Sequence, residues 1–227
     1  MRKTSPLRAL AKRVLYPLLR AWYGRYGSRP RQYRFRHLRC TVLPGVFHPG
    51  LFFSTELLMR FLEKQSIQGL SLLEIGSGSG AVSCWAAHLG ANVTAIDVNP
   101  AAVACTEQNA RENGLSLRVL ASDLFDQVPA AQRFERVVIN PPYYPRTPQN
   151  EAERAFFCGE NFEFFEKLAR QLPGHLAENA LVWMILSEDC ALEAIEQILA
   201  RGGFSFRLAH QARVWGEDNF VFLLEKK

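Results

Sequence analysis

The chain has 227 residues, 48% of them hydrophobic and 22% charged, with a formal net charge of +5. That length fits one sizeable α/β domain with a short extension, and the composition is ordinary for a globular protein. No apolar run approaches the roughly 20 residues of a membrane-spanning helix. The cysteines (Cys40, Cys84, Cys105, Cys158, Cys190) are scattered and never spaced as C-x-x-C, and the histidines do not cluster. This excludes a disulfide framework and a structural zinc site, so we expect no metal and a reducing compartment, the cytoplasm.

Twelve of the 27 Lys and Arg residues fall in residues 1–40, where there is no acid; the first acid is Glu56. The rest of the chain sets 15 bases against 22 acids. A basic arm on an acidic body points to a polyanionic partner: nucleic acid, ribosome or anionic membrane. Ser5-Pro6 supplies an N-cap and a proline at the first helical position. Leu7, Leu10, Ala11, Val14, Leu15, Leu18, Leu19, Trp22, Tyr23 and Tyr26 then form one helical stripe, kinked at Pro17. From Gly24 to Arg39 the chain turns polar and arginine-rich, with Tyr26, Tyr33 and Phe35 interleaved. Three readings of this arm stay open. It is a helix docked on the catalytic domain, an RNA- or ribosome-binding arm, or an organellar targeting or membrane-surface helix. We divide the chain into residues 1–45, a basic helical arm and connector, and residues 46–227, the catalytic domain.

Val42–Phe53 is rich in proline, glycine and aromatics, and Ser54-Thr55-Glu56 leads into an apolar helix, Leu57–Leu62. Strand and helix patterns then alternate. Strands are expected at Leu72–Ile75, Val93–Asp97, Leu117–Leu120, Arg136–Asn140 and Leu181–Leu186. Helices are expected at Ala81–Leu89, Pro100–Asn113, Asn161–Leu176 and Asp189–Arg201. Two final strands, Phe204–His210 and Phe220–Leu224, are joined by a loop and must pair antiparallel. The fold class is α/β: a doubly wound, Rossmann-like, seven-stranded and mostly parallel sheet with an antiparallel C-terminal strand. Sites in such sheets lie at the carboxyl ends of the strands.

The first strand of the alternation runs into Glu74-Ile75-Gly76-Ser77-Gly78-Ser79-Gly80-Ala81. Its glycines allow a tight turn and close approach of backbone amides to a ligand, and the next helix opens on the same crevice. The second strand ends at Asp97, where a carboxylate can accept both hydroxyls of an adenosine ribose. Taken alone, Gly76-x-Gly78-x-x-Ala81 also satisfies the looser dinucleotide fingerprint.

The fourth strand delivers Asn140-Pro141-Pro142-Tyr143 at its end. Two prolines fix the backbone and present carbonyls without competing amide donors. The Asn140 side-chain oxygen and the Pro141 carbonyl can together accept both hydrogens of one planar –NH2 group. They thereby aim its nitrogen and stabilise positive charge that develops on it. Tyr143 offers a flat face for stacking.

Together these segments resemble the class I S-adenosylmethionine-dependent methyltransferases of the N-P-P-[YF] group. That group includes N6-adenine methyltransferases, small-domain rRNA guanine methyltransferases and release-factor glutamine methyltransferases. The resemblance covers roughly residues 45–227. It rests on Glu74, Gly76, Gly78 and Gly80 as E-x-G-x-G-x-G, on Ser122-Asp123-Leu124, and on Asn140–Tyr143. It implies S-adenosylmethionine as cofactor. The implied cofactor residues are Glu74, Gly76, Ser77, Gly78, Gly80, Asp97, Val98, Asp123 and Leu124. Phe47 and Thr55 join them from the stretch that lies over the pocket in relatives. Asn140, Pro141, Pro142 and Tyr143 are the implied catalytic set. The chain departs from the glutamine methyltransferases in lacking their larger helical domain ahead of the catalytic one, and from adenine DNA enzymes in lacking a target-recognition domain.

The expected function is therefore methyl transfer to a planar amide or exocyclic amine nitrogen. An RNA base (ribosomal or transfer RNA) leads as acceptor, with residues 1–40 binding the nucleic acid. A protein glutamine is the alternative, and a non-catalytic RNA-binding or assembly protein a third reading. A nicotinamide dehydrogenase predicts a hydride-transfer constellation that the sequence does not offer.

Overall fold

Seven strands form the central sheet of the computed structural model, which describes residues 27–214 and 216–226. The helical stripe expected between Ser5 and Tyr26 lies outside the described residues. In chain order the strands are β1 (Arg31–Phe35), β2 (Leu38–Val42), β3 (Ser71–Ile75), β4 (Asn92–Asp97) and β5 (Arg118–Ala121). They continue with β6 (Phe134–Ile139), β7 (Leu176–Ser187), β8 (Phe204–Val214) and β9 (Glu217–Lys226). The helices are α1 (Phe53–Leu62), α2 (Ala81–His88), α3 (Pro100–Glu112), α4 (Glu163–Gln171) and α5 (Leu192–Arg201).

The sheet order is β5-β4-β3-β6-β7-β9-β8. Pairs β3–β4, β4–β5, β3–β6 and β6–β7 are parallel, whereas β7–β9 and β8–β9 are antiparallel. This is the doubly wound, Rossmann-like class read from the alternation. Both faces are covered, so the central strands are apolar on both sides: Leu72, Leu73, Val137, Val138, Ile139, Val182 and Met184 are fully buried. One core lies under α1, α2 and α3, and the other under α4 and α5. The strand order reverses between β4 and β6 across β3, which opens the crevice at their carboxyl ends.

Several boundaries differ from expectation: β6 starts at Phe134 instead of Arg136, β7 at Leu176 instead of Leu181, and α5 at Leu192 instead of Asp189. The helix expected over Asn161–Leu176 is α4, followed by a 3-10 turn at Leu172–His175. Pro173 and Gly174 cannot continue an α-helix there. The last two strands run longer than expected, β8 reaching Val214 and β9 starting at Glu217. Helix α1 begins at Phe53 rather than Leu57, which carries Ser54 and Thr55 into its first turn.

The arginine-rich stretch before Val42 is an antiparallel hairpin, β1–β2, pairing Arg31 with Val42 and Phe35 with Leu38. Tyr33, Phe35, Leu38, Cys40 and Val42 alternate inward and are buried, while Gln32, Arg34 and Arg39 are exposed. Phe35 meets Trp85 of α2 edge-on at 4.9 Å. Burying a side chain of that size contributes about 1.5–3 kcal/mol. Asn109 of α3, itself buried, accepts from the Thr41 amide at 2.7 Å and donates to the Thr41 carbonyl at 2.9 Å. It also donates to the Ser79 carbonyl of the glycine turn at 2.8 Å.

Candidate active site

The glycine turn after β3 sets the floor of a cavity of about 310 Å³ at the carboxyl ends of β3, β4 and β6. Gly76, Gly78 and Gly80 have φ of +76°, +53° and +75°, values that side chains with a Cβ rarely adopt. The Gly76 and Ser77 amides donate to the Ile96 carbonyl at 2.9 and 3.0 Å, tying the turn to β4. Thr106 of α3 braces it from behind, 3.0 Å from Ser77 Oγ and donating to the Gly78 carbonyl at 3.3 Å.

Asp97 at the end of β4 accepts the Gly78 amide at 2.8 Å and the Asn99 amide at 2.9 Å. Burial holds its carboxyl above the usual range, and these amides pull it back down. Glu74 is buried at the end of β3, where Ser83 of α2 donates to it. Burial pushes its carboxyl up to about 8, against that hydrogen bond. A buried carboxyl beside the first turn of α2 offers a pyrophosphate no positive charge, whereas an ammonium group brought against it would lower its raised pKa and pair with the carboxylate. The residues present therefore fit a nucleoside with an amino-acid tail.

The sequence-derived residues Phe47, Thr55, Glu74, Gly76, Ser77, Gly78, Asp97, Val98, Asp123 and Leu124 all line this cavity. So do Asn140, Pro141, Pro142 and Tyr143. Gly80 stands behind the wall instead, where a Cβ would lie 2.8 Å from Thr106. Asp123 is held by Lys167 of α4 at 2.9 Å, and Lys167 reaches Asp126 at 2.7 Å.

Asn140 donates its Nδ2 hydrogen to Ser54 Oγ at 3.2 Å. That bond fixes one end of the amide and leaves the carbonyl oxygen as the free acceptor. Tyr143 lies 4.7 Å from Tyr144, ring centre to ring centre, and burial holds its phenol protonated by pushing it well above the usual value. Over the other side of the cavity, Phe47 and Phe52 stack at 4.6 Å, with Phe156 at 5.7 and 5.6 Å from them. Asn140 and Pro141 at the end of β6 thus share one cavity with these aromatic rings.

Ser54, Phe52, Phe156 and Lys167 were not found from the sequence. Ser54 stands 86 positions from Asn140, and no local pattern links the two. The rim also carries acids: Glu151 and Glu163 line the cavity, and Glu217 acts on the Tyr143 phenol. Among the described residues no helix is long and apolar enough to cross a membrane.

Comparison with known proteins matches residues 37–188 to the family described as Methyltransferase small domain. A release factor glutamine methyltransferase of Bordetella pertussis is 34% identical over 154 residues, covering 63% of this chain and 56% of that protein. A ribosomal RNA small subunit methyltransferase C of Alcanivorax borkumensis is 27% identical over 148 residues, covering 64% and 42%. The chain thus spans about half the length of these two relatives. A T. thermophilus 16S rRNA methyltransferase, solved with AdoMet and guanosine, superposes with a TM-score of 0.64 at 22% identity. That superposition covers 88% of this chain and 50% of the other. At that identity it speaks for the fold.

Proposed function

The chain belongs to the methyltransferase small-domain family of class I S-adenosylmethionine-dependent enzymes, and from that premise we propose that it methylates the nitrogen of a planar –NH2 group on an RNA base. The observation that carries this reading is the Asn140 amide, held through Nδ2 by Ser54 so that its oxygen serves as an acceptor between aromatic walls. S-adenosylmethionine, when bound, supplies the methyl group as an electrophile on a sulfonium sulfur. Asn140 Oδ1 and the Pro141 carbonyl accept the two N–H bonds of the substrate and turn its nitrogen lone pair toward that methyl. As positive charge grows on nitrogen, the two oxygens stabilise it without reorganising. The proton leaves to water once the N–C bond has formed, so the residues need not include a general base. Tyr143, with its phenol kept neutral, and the Phe47–Phe52–Phe156 group hold the base flat.

On this reading Glu74, Gly76, Ser77 and Gly78 bind the methionine portion, Asp97 and Val98 the ribose, and Asp123 and Leu124 the adenine. Phe47 and Thr55 close the pocket from above, and Gly80 acts through the shape of the turn. Residues 1–45 are kept as a basic arm and connector and 46–227 as the catalytic domain, with residues 1–40 engaging nucleic acid or the ribosome. All five cysteines are buried free thiols, which suits a cytoplasmic location.

A second reading, methylation of a protein glutamine amide, draws on the named function of the Bordetella relative and on the acids at the rim. Transfer of labelled methyl from S-adenosylmethionine to separated RNA and protein fractions tests the two. Label in RNA that disappears with Asn140→Ala supports the first. Label confined to protein replaces it with the second, and label in neither refutes both.

A further inference from the structure

The hairpin ahead of the catalytic sheet carries a feature that its own stability does not explain. Arg34 of β1 and Arg39 of β2 are directly opposed across the ladder, and both are exposed. Like charges directly opposite one another on a sheet face are destabilising. Arg36, at the turn, is matched by Glu63 at 2.6 Å, so the hairpin does neutralise a guanidinium where an acid is available. Arg34 uses Nε to bond the Arg36 carbonyl, which leaves its outer nitrogens unused by that bond. Among the described residues, neither Arg34 nor Arg39 has a carboxylate within ion-pair distance. The sequence places no acid before Glu56.

We infer that the outer face of this hairpin is a docking surface for the phosphate backbone of RNA, with Arg34 and Arg39 as a phosphate clamp apart from the pocket. The inference rests on the RNA reading of the acceptor and adds a second point of contact. Three observations favour RNA over an anionic membrane or an acidic protein. The outward positions are polar or charged (Gln32, Arg34, Arg39, Thr41), with no apolar side chain to enter a bilayer. The two arginines are register partners on one exposed face, a spacing that suits two contacts along one phosphate chain. The face is also rigidly joined to the pocket. Arg39 is six residues from Gly45 of the cavity wall, a span of at most about 21 Å. Asn109 bolts the strand between them to the glycine turn. A strand of RNA seated on the clamp is therefore held in a fixed relation to the pocket, with the hairpin as a second contact several nucleotides from the base that enters it.

The test measures binding of a labelled single-stranded RNA to the full chain across a salt series. The variants are Arg34→Gln/Arg39→Gln, Arg34→Lys/Arg39→Lys and Arg39→Gln alone. S-adenosylmethionine binding and thermal stability are read in parallel, separately from methyl transfer. The Gln pair should weaken RNA binding roughly 2- to 30-fold and flatten the log–log salt slope by about 1.4. The Lys pair should keep the slope. Arg39→Gln should raise the melting temperature in the absence of RNA, because it removes the cross-strand repulsion. An unchanged slope in the Gln pair overturns the inference. So does a lower melting temperature in Arg39→Gln, which would make the residue structural. Tighter arginine-dependent binding to phosphatidylserine vesicles than to RNA overturns it too. If RNA binding follows the arginines while methyl transfer goes to protein, the clamp stands and the RNA-acceptor reading falls.

Discussion

Replacing Asn140 by alanine removes one of the two oxygens that would hold the substrate –NH2. The structure lets the size of the effect be worked out. In the free protein the Asn140 side chain makes one hydrogen bond, donated to Ser54 at 3.2 Å, and it is half-buried. Its loss should therefore lower stability by only about 1 kcal/mol. In the transition state the same side chain meets a nitrogen acquiring positive charge. A hydrogen bond to a charged group contributes about 1.5–3 kcal/mol, and an unpaired N–H in a desolvated pocket costs about 1–3 kcal/mol more. Their sum corresponds to a fall in kcat of roughly 10²- to 10⁴-fold. Cofactor affinity should stay within about twofold, because Asn140 bonds neither the glycine turn nor Asp97. Single-turnover transfer of labelled methyl, paired with calorimetry of S-adenosylmethionine binding, separates these quantities. Asn140→Asp, which keeps an acceptor oxygen, should retain more activity than alanine. Near-normal kcat in Asn140→Ala, or a loss explained by cofactor affinity, would refute the role given to this residue.

Ser54→Ala should lower kcat two- to fivefold with cofactor affinity intact, since about 1 kcal/mol of orientation is lost from the Asn140 amide; Ser54→Thr should rescue it, and a change confined to stability would count against the positioning role. Gly80→Ala puts a Cβ at φ +75° and 2.8 Å from Thr106, so melting should fall by about 4–8 °C, equivalent to about 2 kcal/mol in a chain of this size; an unchanged midpoint would contradict the packing described. Glu74 titrates near 8 in the folded protein against 4.5 for the free side chain, through burial. A group with a raised folded value stabilises fully below its unfolded value and loses that contribution as pH climbs through the folded one. Stability should therefore decline from about pH 4.5 to about pH 8 more steeply in the wild type than in Glu74→Gln, measured by urea midpoints; parallel profiles would show that Glu74 is not held protonated.

Much of the sheet was legible because its order is local. Apolar runs at β3, β6 and β7 are bounded by turn residues, and the helices between them carry their own punctuation, such as the Asn99 cap, whose side chain accepts the Ala101 amide at 2.9 Å. Every expected residue that lines the cavity belongs to a motif contiguous in the chain, at a strand end or at the start of α1. The hairpin was missed although Tyr33, Phe35, Leu38, Cys40 and Val42 alternate perfectly well. Its turn is Arg36-His37, with Arg36 at φ +52°, instead of the Asn-Gly or Asp-Gly pair that announces a hairpin. Density of arginine then masked the alternation as a polar stretch. Ser54, Phe156 and Lys167 were illegible for another reason. They meet their partners only through tertiary packing, so a segment can be placed near the pocket by its motif while the individual side chain that reaches in is not. Gly80 shows the converse: a residue legible in a motif can act through what it leaves room for, here Thr106, without facing the ligand.

On the proposed mechanism, Asn140 and Pro141 present an –NH2 nitrogen of an RNA base to the methyl donor. Mass spectrometry of nucleosides digested from RNA, after incubation with the full chain and isotopically labelled S-adenosylmethionine, tests it most directly. One labelled nucleoside, methylated on an exocyclic nitrogen, is expected, and none with Asn140→Ala. Label on a carbon, on a ribose oxygen or on glutamine in protein, with unlabelled RNA bases, would contradict it.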